Sequence, residues 1–306
     1  MRKISILLPV LLLGSFCYGQ TADDYVKSGL EKCQNGEYAI GLELLNKGIE
    51  LNPNIAEAYN YRGIAKKELN DVQGAINDFT KAIEINPKYA KPYINRGNAK
   101  SDLGDNKGAI ADYTKSIDIM PESDISYYCR GLSMISLGDF EGAIRDFDQA
   151  LEISPDNPDY AFNRGFAKSR NGDLEGSISD FSKTIEKDSS NSDAYVFRGI
   201  SKSKLSDNLG AIKDFNIAIE LNQGNPYAYF FRGFTKSIVE EFQEAIADYN
   251  RAIEIFPDYT DAYLNRGIAR YNLGLIDGAC ADWLKVKSFG SDEANDRLDQ
   301  YCKGHK

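Results

Sequence analysis

The chain has 306 residues, 42% of them hydrophobic, enough for two ordinary domains or for one long repeat array. Thirty-six Lys and Arg stand against 46 Asp and Glu, giving a net charge of −10. Affinity for a phosphate backbone rests on clustered cations, so this balance argues against nucleic acid as a partner.

The first element reads as a secretory signal peptide over residues 1–19. Arg2 and Lys3 form a charged start, Ile4 to Phe16 is almost wholly apolar, and Cys17-Tyr18-Gly19 offers a cleavage site after Gly19. The apolar run is 13 residues, short of the roughly 20 that a spanning helix needs, so no membrane span is expected after cleavage. No later segment is apolar enough to cross a bilayer. A lipid anchor on Cys17 is disfavoured because bulky Phe16 precedes it. The mature chain is therefore expected to be exported, periplasmic or secreted, and loss of Arg2 and Lys3 takes its charge from −10 to −12.

From residue 20 onward the chain repeats. Gly29, Gly63, Gly97, Gly131, Gly165, Gly199, Gly233 and Gly267 are each 34 residues apart, without an insertion. Four residues before them stands a tyrosine, from Tyr25 to Tyr263, with only Ala161 departing. Small residues follow at Ala75, Ala109, Ala143, Ser177, Ala211, Ala245 and Ala279, and aromatics from Phe79 to Trp283 come four residues after those. In the first repeat Gly41 falls where an alanine is expected and Ala39 lies two residues earlier, which reads as a two-residue slip of its second half. Each unit divides into two amphipathic helices, as in Tyr59–Leu69 and Ala75–Ile83, joined by a polar turn such as Leu103-Gly104-Asp105. Pro53, Pro87, Pro121, Pro155 and Pro257 close most repeats. Ser189 and Gln223 replace that proline, so looser turns are expected there, although the unbroken period argues against a domain boundary. One hairpin cannot bury so much apolar surface, whereas stacked neighbours can.

The spacing of Tyr59, Gly63, Ala75, Phe79, Ala82 and Pro87 resembles the tetratricopeptide repeat, specifically its exported bacterial members, over roughly residues 22–290. The resemblance implies an all-α fold: a right-handed α-solenoid superhelix of about eight helix-turn-helix repeats, with first helices lining a concave groove that holds peptides or proteins. The expected organisation is a repeat array over 20–290 followed by a capping helix and tail over 291–306.

A basic ladder, Arg62, Arg96, Arg130, Arg164, Arg198, Arg232 and Arg266, precedes the glycines, with a lysine or Arg270 four residues on except at Met134. Every repeat with that arginine also carries an aspartate on its second helix, so that Arg62 accompanies Asp78, Arg96 Asp112 and Arg164 Asp180. The first repeat shows Ser28 and Leu44 and has neither. Joint presence and joint loss favour charge pairing over an anion site, since guanidinium and carboxylate match bidentately and a half-buried charge requires a partner.

The groove is expected to be written by residues three before and one after each glycine, which share a helix face. These become aromatic toward the middle: Tyr128 and Leu132, Phe162 and Phe166, Val196 and Ile200, Phe230 and Phe234. They form the candidate partner-binding stripe, against the alternative that they pack first helices together. Asp159, Arg170, Asp193, Lys204 and Tyr227 are candidate orienting groups beside it. The apolar stripe displaces the lysines and asparagines of the family's carboxylate-clamp co-chaperones, which argues against a chaperone-tail ligand.

Cleavage leaves Cys33, Cys129, Cys280 and Cys302. Cys33 and Cys129 are separated by three repeats, roughly 30 Å at about 10 Å per packed helix, which leaves Cys280 with Cys302 as the feasible disulfide. Two buried free thiols remain the alternative. The bond would join the last repeat to a capping helix over Ser291–Tyr301, with Ser291 as N-cap and Ala294, Leu298 and Tyr301 on one face.

The single histidine, His305, is the penultimate residue, so no Ser-His or Cys-His pair and no histidine metal cluster can be assembled. No catalytic residues, metal or cofactor are expected, and a carboxylate-only glycosidase ranks far below scaffolding. The expected function is a non-enzymatic scaffold binding a peptide or envelope protein. The alternatives are a self-associating structural component, hence a homo-oligomer, and glycan binding on the groove aromatics.

Overall fold

The computed structural model describes residues 20–302; the signal-peptide reading on residues 1–19 and the tail carrying His305 lie outside them. Among the described residues there are seventeen α-helices and no strand, an all-α solenoid of successive helical hairpins. The chain divides into two compact units, residues 1–119 and 120–306.

The first unit holds α1 (Ala22–Gln34), α2 (Tyr38–Leu51), α3 (Ala56–Glu68), α4 (Val72–Ile85), α5 (Ala90–Asp102) and α6 (Asn106–Ile119). Each first helix packs on the second helix of its hairpin, and each second helix on the next first helix. In the middle hairpin Phe79 and Ala75 are fully buried, and the Phe79 ring lies where a side chain on Gly63 would sit, with Cε1 2.6 Å from a Cβ built there. The hairpin turn needs one residue with positive φ, supplied by Gly36 and Gly104 and, at a cost, by Asn70 with φ 65°. The next residue caps the second helix: the Asp71 carboxylate accepts from the Gly74 amide at 2.9 Å and that of Asp105 from the Gly108 amide at 2.9 Å.

The two-residue slip expected in the first repeat is absent. The second helix α2 begins 34 residues before α4, so Gly41 occupies the place of Ala75 and Leu45 that of Phe79. Glycine stands there because a Cβ would come within 2.5 Å of the Cys33 Sγ and 3.0 Å of the Gly29 carbonyl oxygen. The side chain changed and the register did not.

The second unit holds α7 (Asp124–Ser136), α8 (Phe140–Ile153), α9 (Pro158–Asn171), α10 (Leu174–Lys187), α11 (Ser192–Lys204), α12 (Asn208–Leu221), α13 (Pro226–Ile238), α14 (Phe242–Ile255), α15 (Thr260–Asn272), α16 (Ile276–Ser288) and α17 (Asn295–Tyr301). The turns at Ser189 and Gln223 are not looser. The first helices α9, α11, α13 and α15 begin at 158, 192, 226 and 260, evenly spaced, because Asn191 and Asn225 cap α11 and α13 through their side chains and Pro226 sits at the first turn of α13.

The capping helix also starts later than expected. The Ser291 hydroxyl accepts from the Glu293 amide at 3.4 Å, but residues 291–294 are not helical, so the contact caps no helix. The helix begins at Asn295 with fully buried Ala294 as its N-cap residue. Ala294 is pinned against Trp283 and Val286, and that anchoring sets where the chain can begin to coil.

Candidate functional site

The arginine column is paired inside the fold. Arg62 donates to both Asp78 oxygens at 2.8 and 2.6 Å, Arg96 to Asp112 at 2.9 and 2.6 Å, and Arg164 to Asp180 at 2.8 and 2.6 Å. Lys66, Lys100 and Lys168 add a second cation to the same carboxylates at 2.8, 2.8 and 2.9 Å. The remaining guanidinium nitrogen reaches the preceding repeat: Asn46 for Arg62, Thr80 for Arg96 and Asp148 for Arg164. Each of these three arginines thus ties three helices together, and Arg62 and Arg96 also stack on a tyrosine, Arg62 5.1 Å from the Tyr59 ring centre and Arg96 5.7 Å from that of Tyr93. Asp148 and Asp180 together push the Arg164 guanidinium above its ordinary range, although burial opposes them as the largest single effect. With all three guanidinium nitrogens of Arg62, Arg96 and Arg164 already bonded within the fold, these arginines serve as structural ties.

The open site lies elsewhere in the second unit, in a cleft of about 970 Å³ across α9, α11, α13 and the start of α15. Its floor is apolar and aromatic, with Phe166, Ile200, Phe197 and Phe231 beside the edges of Val196 and Phe230. Phe166 meets Phe197 edge-on with ring centres 5.5 Å apart, and Phe197 stacks on buried Phe181 at 5.9 Å, so core rings hold the floor in place. Tyr227, 51% exposed, stands over Tyr259, which is 8% exposed, at 5.7 Å. Burial, then the Asp261 carboxylate, then Tyr227 raise the Tyr259 hydroxyl above the ordinary tyrosine range, so it enters the cleft as a neutral group.

Charged groups line the two rims. Arg170 and Lys204 lie at the C-terminal ends of α9 and α11, and Asp193 and Asp261 at the N-terminal ends of α11 and α15. Arg170 stacks 5.5 Å from the Phe140 ring centre, and Asp193 accepts a hydrogen bond from the Asn225 amide nitrogen at 3.2 Å.

The candidate stripe is divided by the structure. Phe166, Val196, Ile200 and Phe230 line the cleft, but Val196 is 3% and Phe230 7% exposed, and both belong to the core between hairpins. Phe162 packs edge-on against Phe181 and Phe197, Tyr128 against Phe147 and Tyr160, and Leu132 into the cluster around Phe147. Phe234 is 41% exposed outside the cleft, stacked on Phe230. Of the candidate orienting groups, Arg170, Asp193, Lys204 and Tyr227 line the cleft and Asp159 does not. Sequence reasoning missed Phe197, Phe231 and Tyr259. The signal existed: the residue before each arginine is aromatic at Tyr61, Phe197 and Phe231 alone, and two of these lie in adjacent repeats.

At the C-terminus Cys280 and Cys302 form a disulfide with Cα atoms 5.8 Å apart, while Cys33 is a buried free thiol. Among the described residues no group of three His, Cys, Asp or Glu could hold a metal ion, and no helix is long and apolar enough to cross a membrane.

Comparison with known families matches a TPR repeat model to residues 133–172 and 240–274, and two tetratricopeptide repeat models to 56–89 and 90–123. No curated protein matches the chain. Among solved structures, YrrB, described as a TPR protein with an unusual peptide-binding site, is 22% identical, with TM-score 0.56 over 60% of this chain and 95% of its own. A tetratricopeptide repeat protein from Parabacteroides merdae is 20% identical, with TM-score 0.59 over 82% of this chain and 99% of its own. MamA protein is 27% identical, with TM-score 0.50 over 60% of this chain and 97% of its own.

Proposed function

The chain is a tetratricopeptide repeat protein, and from that premise we propose that it is a non-catalytic scaffold holding a polypeptide segment in the cleft of its second unit. Interaction with proteins or peptides is the general use of this repeat, and the peptide-binding site described for YrrB is a precedent on a similar fold. The observation that carries the reading is the cleft itself. Phe166, Ile200, Phe231 and Tyr227 meet there in about 970 Å³ of open space, while the core positions of the same helices are closed. Apolar surface gathered in a concave site between helices is where ligands seat.

We place the working compartment outside the cytoplasm. Support comes from the charged start, the apolar run from Ile4 to Phe16, and the Cys280–Cys302 disulfide, a bond that persists in oxidising compartments. An envelope protein is accordingly the proposed class of partner.

The test is selection from a displayed peptide library on the purified chain and on a Phe166→Ala, Tyr227→Ala variant whose helicity is unchanged. Enrichment of a consensus on the wild type that is lost on the variant supports the reading. Equal enrichment on both refutes it.

A further inference from the structure

The faces of the neighbouring helices α9 and α11 carry the same order of chemistry, although Asp159 and Phe162 of α9 lie outside the cleft lining. On α9, Asp159, Phe162, Phe166 and Arg170 lie at i, i+3, i+7 and i+11, and on α11 the same positions hold Asp193, Val196, Ile200 and Lys204. At about 100° per residue all four positions of each set fall on one face, and i to i+11 spans about 16 Å at 1.5 Å per residue. Helix α15 contributes Asp261 at the acidic end.

These charges differ from the arginine column in having no counter-charge, and they differ from the other exposed charges in standing at the rim of an apolar cleft. The cations of the arginine column all meet a buried aspartate, whereas neither Arg170 nor Lys204 forms an ion pair among the described residues, and neither do Asp193 and Asp261. Nor can they satisfy one another across about 16 Å, where an ion pair needs 4 Å or less. Acid at the start and base at the end also complement the helix dipole, as on α3 and α15; what the cleft adds is that Asp193, Asp261, Arg170 and Lys204 all border the same apolar floor.

Resting on the peptide-groove reading above, we infer that the cleft selects a dipolar segment: apolar side chains on the aromatic floor, a carboxylate facing Arg170 and Lys204, and a cation facing Asp193 and Asp261. In an extended segment the two charges stand about five residues apart, at roughly 3.3 Å per residue. Tyr227 and neutral Tyr259 beside Asp261 give the cationic end an aromatic face as well as a carboxylate. The opposed rims fix which way round the segment lies.

The experiment titrates four capped synthetic peptides into the full chain by fluorescence anisotropy. All share one Phe-Leu-Phe core, and their flanks are acidic and basic, both acidic, both basic, or serine only. The expected result is that the dipolar peptide binds about tenfold tighter than either like-charged peptide, the size given by two partly exposed charge pairs. The difference closes at high salt. An Arg170→Glu, Lys204→Glu variant, which makes both rims acidic on exposed positions, shifts the preference to the doubly basic peptide. Equal affinity of the dipolar and serine-flanked peptides, with no shift in the variant, overturns the inference and leaves the groove reading intact, provided Phe166→Ala, Tyr227→Ala abolishes binding of both. Failure of all four peptides to bind overturns it too, and the library selection then judges the groove reading separately.

Discussion

Replacing Arg130 by methionine removes the one cation that, among the described residues, pairs with Asp146, whose exposure is 5%: Nε and Nη2 each lie 2.7 Å from its carboxylate oxygens. In most other repeats a lysine backs up the arginine, as Lys236 does 2.9 Å from Asp248, but Met134 holds that position here. Arg130→Met therefore strands a buried carboxylate, a loss of about 3–5 kcal/mol. Arg232→Met leaves Lys236 on Asp248 and gives up hydrogen bonds to a charged group, about 1.5–3 kcal/mol. Methionine keeps the aliphatic stem in both, so the difference reports the orphaned charge. Urea unfolding followed by far-UV circular dichroism measures it, and amide exchange in α7 and α8 locates it. Adding Met134→Lys to Arg130→Met should restore the Arg232→Met level. Equal losses in the two single variants, or no rescue by the lysine, would refute the reasoning.

Reduction of the Cys280–Cys302 bond should release α17 from Trp283, whose ring centre is 6.2 Å from that of Tyr301; since Trp283 is the sole tryptophan, a red shift and new acrylamide quenching of its emission report this directly. The accompanying loss of stability should be about 2–4 kcal/mol, and an unchanged emission maximum counts against the docking role. Gly199→Ala should destabilise more than Gly165→Ala, because a Cβ would lie 2.7 Å from the fully buried Phe215 ring in the first case and 3.2 Å from its nearest neighbour in the second; thermal melts decide it, with overpacking of this kind costing about 1–3 kcal/mol. Burial, followed by the nearby Tyr61 and Glu57, raises the Tyr89 hydroxyl to about 12, above the roughly 10 of an unfolded chain, so its stabilising effect is full below pH 10 and is lost as pH rises toward 12. Tyr89→Phe should flatten that alkaline decline, which a pH series of melts would show or deny.

The array was legible in the sequence because its period is an arithmetic property of the chain: helix starts at 22, 56 and 90 and at 158, 192, 226 and 260 follow the 34-residue spacing without deviation. The Arg–Asp columns were legible for the same reason, since residues 16 apart recur together and are lost together. Apolar spacing by itself could place Phe166, Val196, Ile200 and Phe230 on one face, but it could not say which of them see solvent. That depends on the rings neighbouring helices bring: Phe231 and Tyr259 close over Phe230, while Phe166 meets Phe197 and keeps an edge on the cleft. Tyr259 comes from a loop and lies off both helical periods, so only the folded chain carries it to the cleft. Periodicity is written along one helix, whereas exposure is decided by the side chains of the next, and those meet only when the hairpins stack.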